Sequence, residues 1–234
     1  MSPYPQGGKC WWKWFNAFQL CRWHLNLPFP GLSRGFVKPI TFIYAKILTV
    51  AEDNLSVRRS EINDFEKVID YFLKSDKESL TNMSVDISKL PSRAEWLRIL
   101  TADFTLDAES RQFFYVIWLL DNRAIGHSNI NKIIFGEEAY MHLHLWRAQI
   151  RRKGIGYTLL KETLPLYFNT FQLKNLYCEP SASNPAPNNT LKKLGFEFIK
   201  SYNTIPGWIN SYQTVNRWCL TDKKFKLIYP VELT

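Results

Sequence analysis

No run of about 18 or more apolar residues occurs in this chain, so a transmembrane helix is not expected. Cysteine is scarce. Its four copies, at positions 10, 21, 178 and 219, show no C-x-x-C spacing, which excludes a disulfide framework or a thiol redox motif as the organising feature. A reduced, cytoplasmic setting is therefore the expectation. Acidic residues are absent from positions 1–39, which hold Lys9, Lys13, Arg22, Arg34 and Lys38. The net charge of +9 is therefore uneven, and only about +4 belongs to the rest of the chain. That balance suits a polyanionic small ligand as well as nucleic acid, and a solvated basic surface explains it equally well. No internal repeat is visible. What is present is 46% hydrophobic residues in 234, enough for one α/β domain, or a domain with an extension.

The first 52 residues read as an aromatic and basic extension, and 53–234 as the folded domain. "KCWWKWFNAFQLCRWHLNLPFPG" sets Trp11, Trp12, Trp14, Phe15, Phe18 and Trp23 among basic residues. It lacks a clean apolar stretch and a small-residue cleavage site, so it does not read as a signal peptide. Aromatic and basic residues together also mark interfacial membrane segments. Two plainer readings stand ahead of that one: an appended, poorly ordered leader, or sequence upstream of the natural start. Pro28, Pro30, Gly31, Gly35 and Pro39 separate it from the downstream domain.

In "NLSVRRSEINDFEKVIDYFLKSD" a short strand precedes a helix, with Ser60 as the expected cap and Phe65, Val68, Ile69, Phe72 and Leu73 at helical spacing. "LPSRAEWLRILTADF" opens with Ser92 and Glu95, a capping-box pattern. Three strands in a meander come next, turning at "DNR" and "FGEEA". "GIGYTLLKETLPLYFNTF" is a helix in which Pro165 is expected to kink or shorten the rod. Then come a strand at "LKNLYCEP", a Pro-started helix closed by Gly195, and two strands around a loop holding Pro206 and Gly207. The order predicts an α/β (α+β type) fold with a mixed, mostly antiparallel sheet and helices packed on it.

Strand, basic residues, glycines, helix: "RRKGIG" has the geometry of an anion site. The first N–H groups of a helix lack partners and the helix dipole adds positive potential there. Gly154 and Gly156 allow close approach by a ligand, and Arg151, Arg152 and Lys153 ring the mouth. No Walker lysine is present, and Leu159 stands where a dinucleotide fingerprint needs its third glycine.

Arg151-x-x-Gly154-x-Gly156 between a strand and a helix resembles the acetyl-CoA signature of the GNAT superfamily of N-acetyltransferases. "SNPAPNNTLKKLGFEF" resembles the RimJ/RimL-like branch, with Asn184 after the fifth strand and a helix ending in Lys193-Leu194-Gly195-Phe196. The resemblance covers roughly residues 53–222. It implies a GNAT fold of six to seven strands and about four helices, splayed between strands 4 and 5. It implies acetyl-CoA as co-substrate with no metal. The pyrophosphate would fall on backbone N–H groups of residues 152–157, which include Ile155 and Tyr157, and the pantetheine arm would pair with the strand near Trp146. Asn184 would bond the pantetheine amides or cap its helix.

Transfer to an amine requires loss of a proton, polarisation of the thioester carbonyl and departure of a thiolate. In "MHLHLW", His142, His144 and Trp146 alternate onto one face. The resemblance places a base on that parity, so either histidine is a candidate, against the plainer reading of a structural histidine. An H-x-H zinc site would need a third ligand from His127 or Glu179. Glu179 is a candidate to orient or deprotonate the amine, or a loop carboxylate paired with a base. Cys178, in an apolar strand, reads as an inert thiol. Where many of these enzymes carry a tyrosine acid, this chain has Leu191.

The expected activity is acetyl transfer to a primary amine by direct attack in a ternary complex. A protein N-terminus is the first reading of the acceptor, and a small amine such as an aminoglycoside or polyamine the alternative. A non-catalytic CoA-binding or nucleic-acid-associated module is the rival from another class. No specific nucleic-acid partner is expected, and the chain is read as a monomer or homodimer.

Overall fold

The computed structural model describes residues 54–151 and 153–230. The extension at 1–52 therefore lies outside the described residues.

Seven strands form one sheet: β1 (Leu55–Arg59), β2 (Phe113–Leu120), β3 (Arg123–Ile134), β4 (Glu138–Leu145), β5 (Asn175–Cys178), β6 (Glu197–Thr204) and β7 (Gln213–Thr221). Their spatial order is β1-β2-β3-β4-β5-β7-β6. All neighbours are antiparallel except β4 and β5. Six α-helices accompany them among the described residues: α1 (Phe65–Leu73), α2 (Lys77–Asn82), α3 (Arg93–Phe104), α4 (Ile155–Phe171), α5 (Pro185–Lys193) and α6 (Asp222–Ile228). About four were expected. The two extra ones, "KESLTN" and "DKKFKLI", are short and mostly polar, and side-chain caps from Asp76 and Thr221 start them.

Both faces of the central strands are covered, which is why "FFYVIWLL" is an unbroken apolar run. Phe114, Val116 and Trp118 face α4, α5 and α6, while Tyr115 and Ile117 face α1 and α3. The first meander turn is built from Asp121 and Asn122, with φ of 50° and 60°, the paired left-handed conformation that a tight hairpin requires. Gly136 at φ 75° makes the second.

Two local readings are corrected. Ser60 does not cap α1, because its N–H donates to Tyr115 O (3.0 Å) and extends the β1–β2 pairing. Glu61 and Asp64 form a capping box around the 3-10 turn Ile62–Asp64 that leads into α1, and Arg58 grips Asp64 through two hydrogen bonds (2.6 and 3.0 Å). Of the two effects expected of Pro165, shortening does not occur: α4 runs 17 residues with the proline inside it. Ser92 caps α3, its Oγ accepting from Glu95 N–H (3.3 Å), which is the N-cap half of the capping box, and Gly195 has φ 90° as read.

The feature that positions the site is a mismatch of strand lengths. β5 pairs with β4 from Glu138 to Met141 and then ends at Cys178, whereas β4 continues to Leu145. Beyond Met141 the two strands part, and the β5-facing edge of His142–Leu145 has no strand beside it among the described residues.

Candidate active site

At the end of β4 the chain turns through a 3-10 segment, Ala148–Ile150, into α4. Gly154 is the N-cap, with φ 81° and ψ −13°. A side chain there would be strained, since the left-handed region costs an L-residue about 1–2 kcal/mol. A Cβ on Gly154 would nevertheless meet nothing within 4 Å, so the space in front of the turn is open. Gly156 is different. A Cβ there would only touch Leu145 Cδ1, at 3.8 Å, so the fold itself tolerates a Cβ at that position. No acidic residue lies in the first turn of α4 to compete with an anion.

The three basic residues divide. Arg151 donates from Nε and Nη2 to the Leu145 carbonyl (3.2 and 2.8 Å), tying the turn to the end of β4. Lys153 is exposed, and Arg152 lies outside the described residues. The N–H groups of Tyr157 and Thr158 both return to the Gly154 carbonyl (2.9 and 3.2 Å). Tyr157 therefore has its amide engaged, and the outward donors are those preceding it. Ile155 is buried and anchors the first turn in the core.

On β4, His142, His144 and Trp146 share one face, and their environments separate them. His144 is stacked on His127 (ring centroids 4.9 Å) and meets the edges of Tyr71 and Phe72 (5.5 and 5.2 Å). His127 is buried and accepts a hydrogen bond at Nδ1 from the Trp146 indole (2.8 Å). His142 stands nearer β5, and its Nε2 is buried without a hydrogen-bond partner among the described residues. Burial holds all three imidazoles neutral: it pushes His142 down to about 4 and His144 to about 3, and takes His127 well below the ordinary value. Lys132 adds to the effect on His142, while Glu179 opposes it.

Glu179 is not a free carboxylate. Its side chain is 4% exposed and accepts from Arg217 Nε (2.6 Å) and from the Tyr202 hydroxyl. Arg217 in turn lies over the rings of Tyr140, Tyr177 and Tyr202 (5.5, 5.4 and 5.1 Å). Burial, then the bond to Glu179, raises the Tyr202 phenol to about 12. Asn184 caps α5, its Oδ1 accepting from Ala186 N–H (3.3 Å). Cys178 is buried, and burial lifts its thiol to about 12, so it stays protonated and inert at neutral pH. Leu191 is a core residue with no exposure.

Several residues at the site were not read from the sequence. Asn188 bridges the structure behind the splay, donating to Ser181 O and Asn184 O and accepting from Asn216 and from the Trp218 indole. Gly126, on β3, lies so close to β4 that a Cβ would sit 2.4 Å from His144 O. Arg217 and Tyr202 were invisible as partners of Glu179, because only the β5–β7–β6 pairing brings them together. An isolated polar residue in a strand carries no local signal of such a network.

The loop between β6 and β7, residues 205–212, closes over His142. Asn210 donates to Ser84 O (3.1 Å), Ser211 N–H to the same carbonyl (2.9 Å), and Asp86 N–H to Ile209 O (2.8 Å). A Cβ on Gly207 would lie 3.6 Å from His142 Cε1. Trp208 packs edge-on against Trp96 (5.7 Å), whereas Tyr212 is 70% exposed. Beside this face an open cleft of about 360 Å³ is lined by Lys67, Asp70, Tyr71, Lys74, Ser75 and Trp146. Its carboxylate, Asp70, is already paired with Lys74 and Arg93. Among the described residues, no three histidine, cysteine, aspartate or glutamate side chains are placed to share a metal ion. No helix among them is long and apolar enough to cross a membrane.

The family model for an acetyltransferase (GNAT) domain matches residues 54–197. No curated protein sequence matches the chain. Among solved structures, the fold is similar to RimL, a ribosomal L7/L12 alpha-N-protein acetyltransferase in complex with coenzyme A, at 16% identity over 75% of this chain and 97% of that one (TM-score 0.59). It is similar to mutant forms of the spermidine/spermine N-acetyltransferase SpeG from Vibrio cholerae, at 17% identity over 75% and 99% (TM-score 0.59). It is also similar to the aminoglycoside acetyltransferase AAC(6')-Ib in complex with coenzyme A, at 15% identity over 74% and 98% (TM-score 0.55).

Proposed function

The chain belongs to the GNAT acetyltransferase family, and from that premise we propose that it moves an acetyl group from acetyl-CoA to a primary amine by direct attack within a ternary complex. The observation that carries this reading is the parted β4–β5 edge lying next to the α4 N-terminus. The edge of His142–Leu145 that faces away from β3 supplies backbone groups for the amides of a pantetheine arm, apart from the Leu145 carbonyl that Arg151 occupies. The turn at Lys153–Gly156 supplies N–H groups and helix-dipole potential for a pyrophosphate, with Arg152 next to it in sequence. Arg151 serves by holding the turn against β4. Asn184 is assigned to the cap of α5 rather than to the ligand.

His142 is the preferred group on the acceptor side. It is uncharged at neutral pH, and its Nε2 lacks a partner that an incoming amine N–H could satisfy. His144 is held among Tyr71, Phe72 and His127 and serves as packing. Glu179, locked to Arg217 and Tyr202, orients the β5 end of the site and is not its base.

A protein N-terminus suits the acceptor side better than a polycation. Polyamines and aminoglycosides need several carboxylates, and the cleft offers Asp70, already neutralised by two bases, beside Lys67 and Lys74. A screen of short peptides with free N-termini, spermidine and kanamycin, read out by release of the CoA thiol, tests this. Release with peptides and not with the polycations is expected. Release with the polycations alone would move the acceptor to small amines, and no release with any amine would leave a CoA-binding module without transferase activity.

A further inference from the structure

Lys132 sits where β3 loses register with β4, between Asn131 and Ile134, and it adopts φ 49°. A left-handed lysine is uncommon, and a bulge re-aims the side chain it carries. Here the chain is aimed across Tyr140, with Nζ 4.9 Å from the ring centroid, to the Pro206 carbonyl of the β6–β7 loop (3.3 Å). The next residue of that loop, Gly207, is the one that approaches His142. One ammonium therefore touches the loop covering His142 and puts a positive charge on the His142 side of the sheet.

We propose that Lys132 is a positioning residue for acetyl transfer, holding the β6–β7 loop over His142 through the Pro206 carbonyl and placing its positive charge on the side of the sheet that His142 faces. The inference rests on the acyl-transfer reading given above. The charged groups whose fields reach His142 are Lys132 from β3 and Glu179 beyond β5. Within β4 the next histidine, His144, is itself neutral. The covering loop carries no acid or base apart from the exposed Tyr212 phenol. The segment that holds the loop brings Asp86 and Lys89, which pair with each other (3.4 Å). Glu179 is bound by Arg217, so of the two Lys132 is the one with no ion pair among the described residues.

The test is an NMR titration of the histidine side chains in the full chain, with His142→Gln used to assign the resonance. Lys132→Gln keeps a donor for Pro206 O and removes the charge, Lys132→Met removes both, and Lys132→Arg keeps both. With Gln and with Met the His142 titration is expected to move up from about 4 by about half a pH unit or more, and with Arg to stay in place. In an assay with an accepted peptide amine at one neutral pH, the Met variant, which releases the Pro206 carbonyl, is expected to lose more kcat/KM than the Gln variant, with Arg close to the native value; equal kcat/KM in Met and Arg would remove the loop-holding role. An unmoved His142 titration in either folded variant overturns the proposal. A shifted titration without any acetyl transfer would instead sustain the role of Lys132 on the imidazole and refute the acyl-transfer reading.

Discussion

The two halves of the site are built by different physics. On the cofactor side, the turn at 151–157 is local: one glycine in a left-handed conformation, one helix start and one arginine bonded six residues back to Leu145. On the acceptor side nothing is local. His142 lies beneath residues 205–212, held by Met83–Lys89, while Glu179 depends on Arg217 38 residues away and Tyr202 23 away. The first half tolerates isolated changes and fails at a ligand. The second is a coupled assembly that fails as structure.

Arg217→Met tests that contrast most severely. It leaves the Glu179 carboxylate buried without its cation, which is expected to cost about 3–5 kcal/mol, measured as a drop in denaturant midpoint. Replacing Glu179 by Gln in the same background should recover part of the loss. Acid is the next probe. The three β3–β4 imidazoles are neutral in the fold and would take up protons in the unfolded chain below the ordinary value of 6.5. Their folded values are depressed, so their contribution is full above 6.5 and is lost as pH falls from there toward about 4 and about 3. Stability should decline across that window by about 1.4 kcal/mol per pH unit for each histidine that remains neutral in the fold. His142→Gln should flatten the slope, as followed by thermal melts between those limits.

The cofactor side responds more gently. Gly154→Ala forces a side chain into φ 81° and should cost about 1–2 kcal/mol of stability. Asn184→Ala removes a cap and should cost about 1 kcal/mol while leaving acetyl-CoA affinity unchanged, because the side chain is engaged with Ala186 N–H. A loss of affinity in that variant would return Asn184 to the ligand.

The same contrast governs what is legible in the sequence. Turn, cap and parity are written in neighbouring residues, so "RRKGIG", "SRAE", "DNR" and the shared face of His142, His144 and Trp146 can be read directly. The meander and the α4–β5–α5 succession emerge from hydrophobic periodicity. Ser60 misleads because a serine before a helix has the same local signature whether it caps the helix or extends a strand, and Tyr115 decides it. α2 and α6 escape notice because a single turn or two of polar helix has almost no apolar period. Choosing between His142 and His144 requires knowing which neighbours crowd each ring, and those come from α1, β3 and a loop far along the chain.

The central claim is that the open turn before α4 seats the pyrophosphate of acetyl-CoA. Isothermal titration of the full chain with acetyl-CoA, comparing the native protein with Gly156→Trp, tests it most directly. A Cβ at Gly156 makes only ordinary contact with Leu145 Cδ1, and a thermal melt of the variant, run beside the titration, restricts the comparison to folded protein. The native chain should bind acetyl-CoA and the folded variant should lose at least about tenfold in affinity, the equivalent of one lost charge-assisted contact. Equal affinity in the two proteins, or no binding to the native chain, would contradict the account.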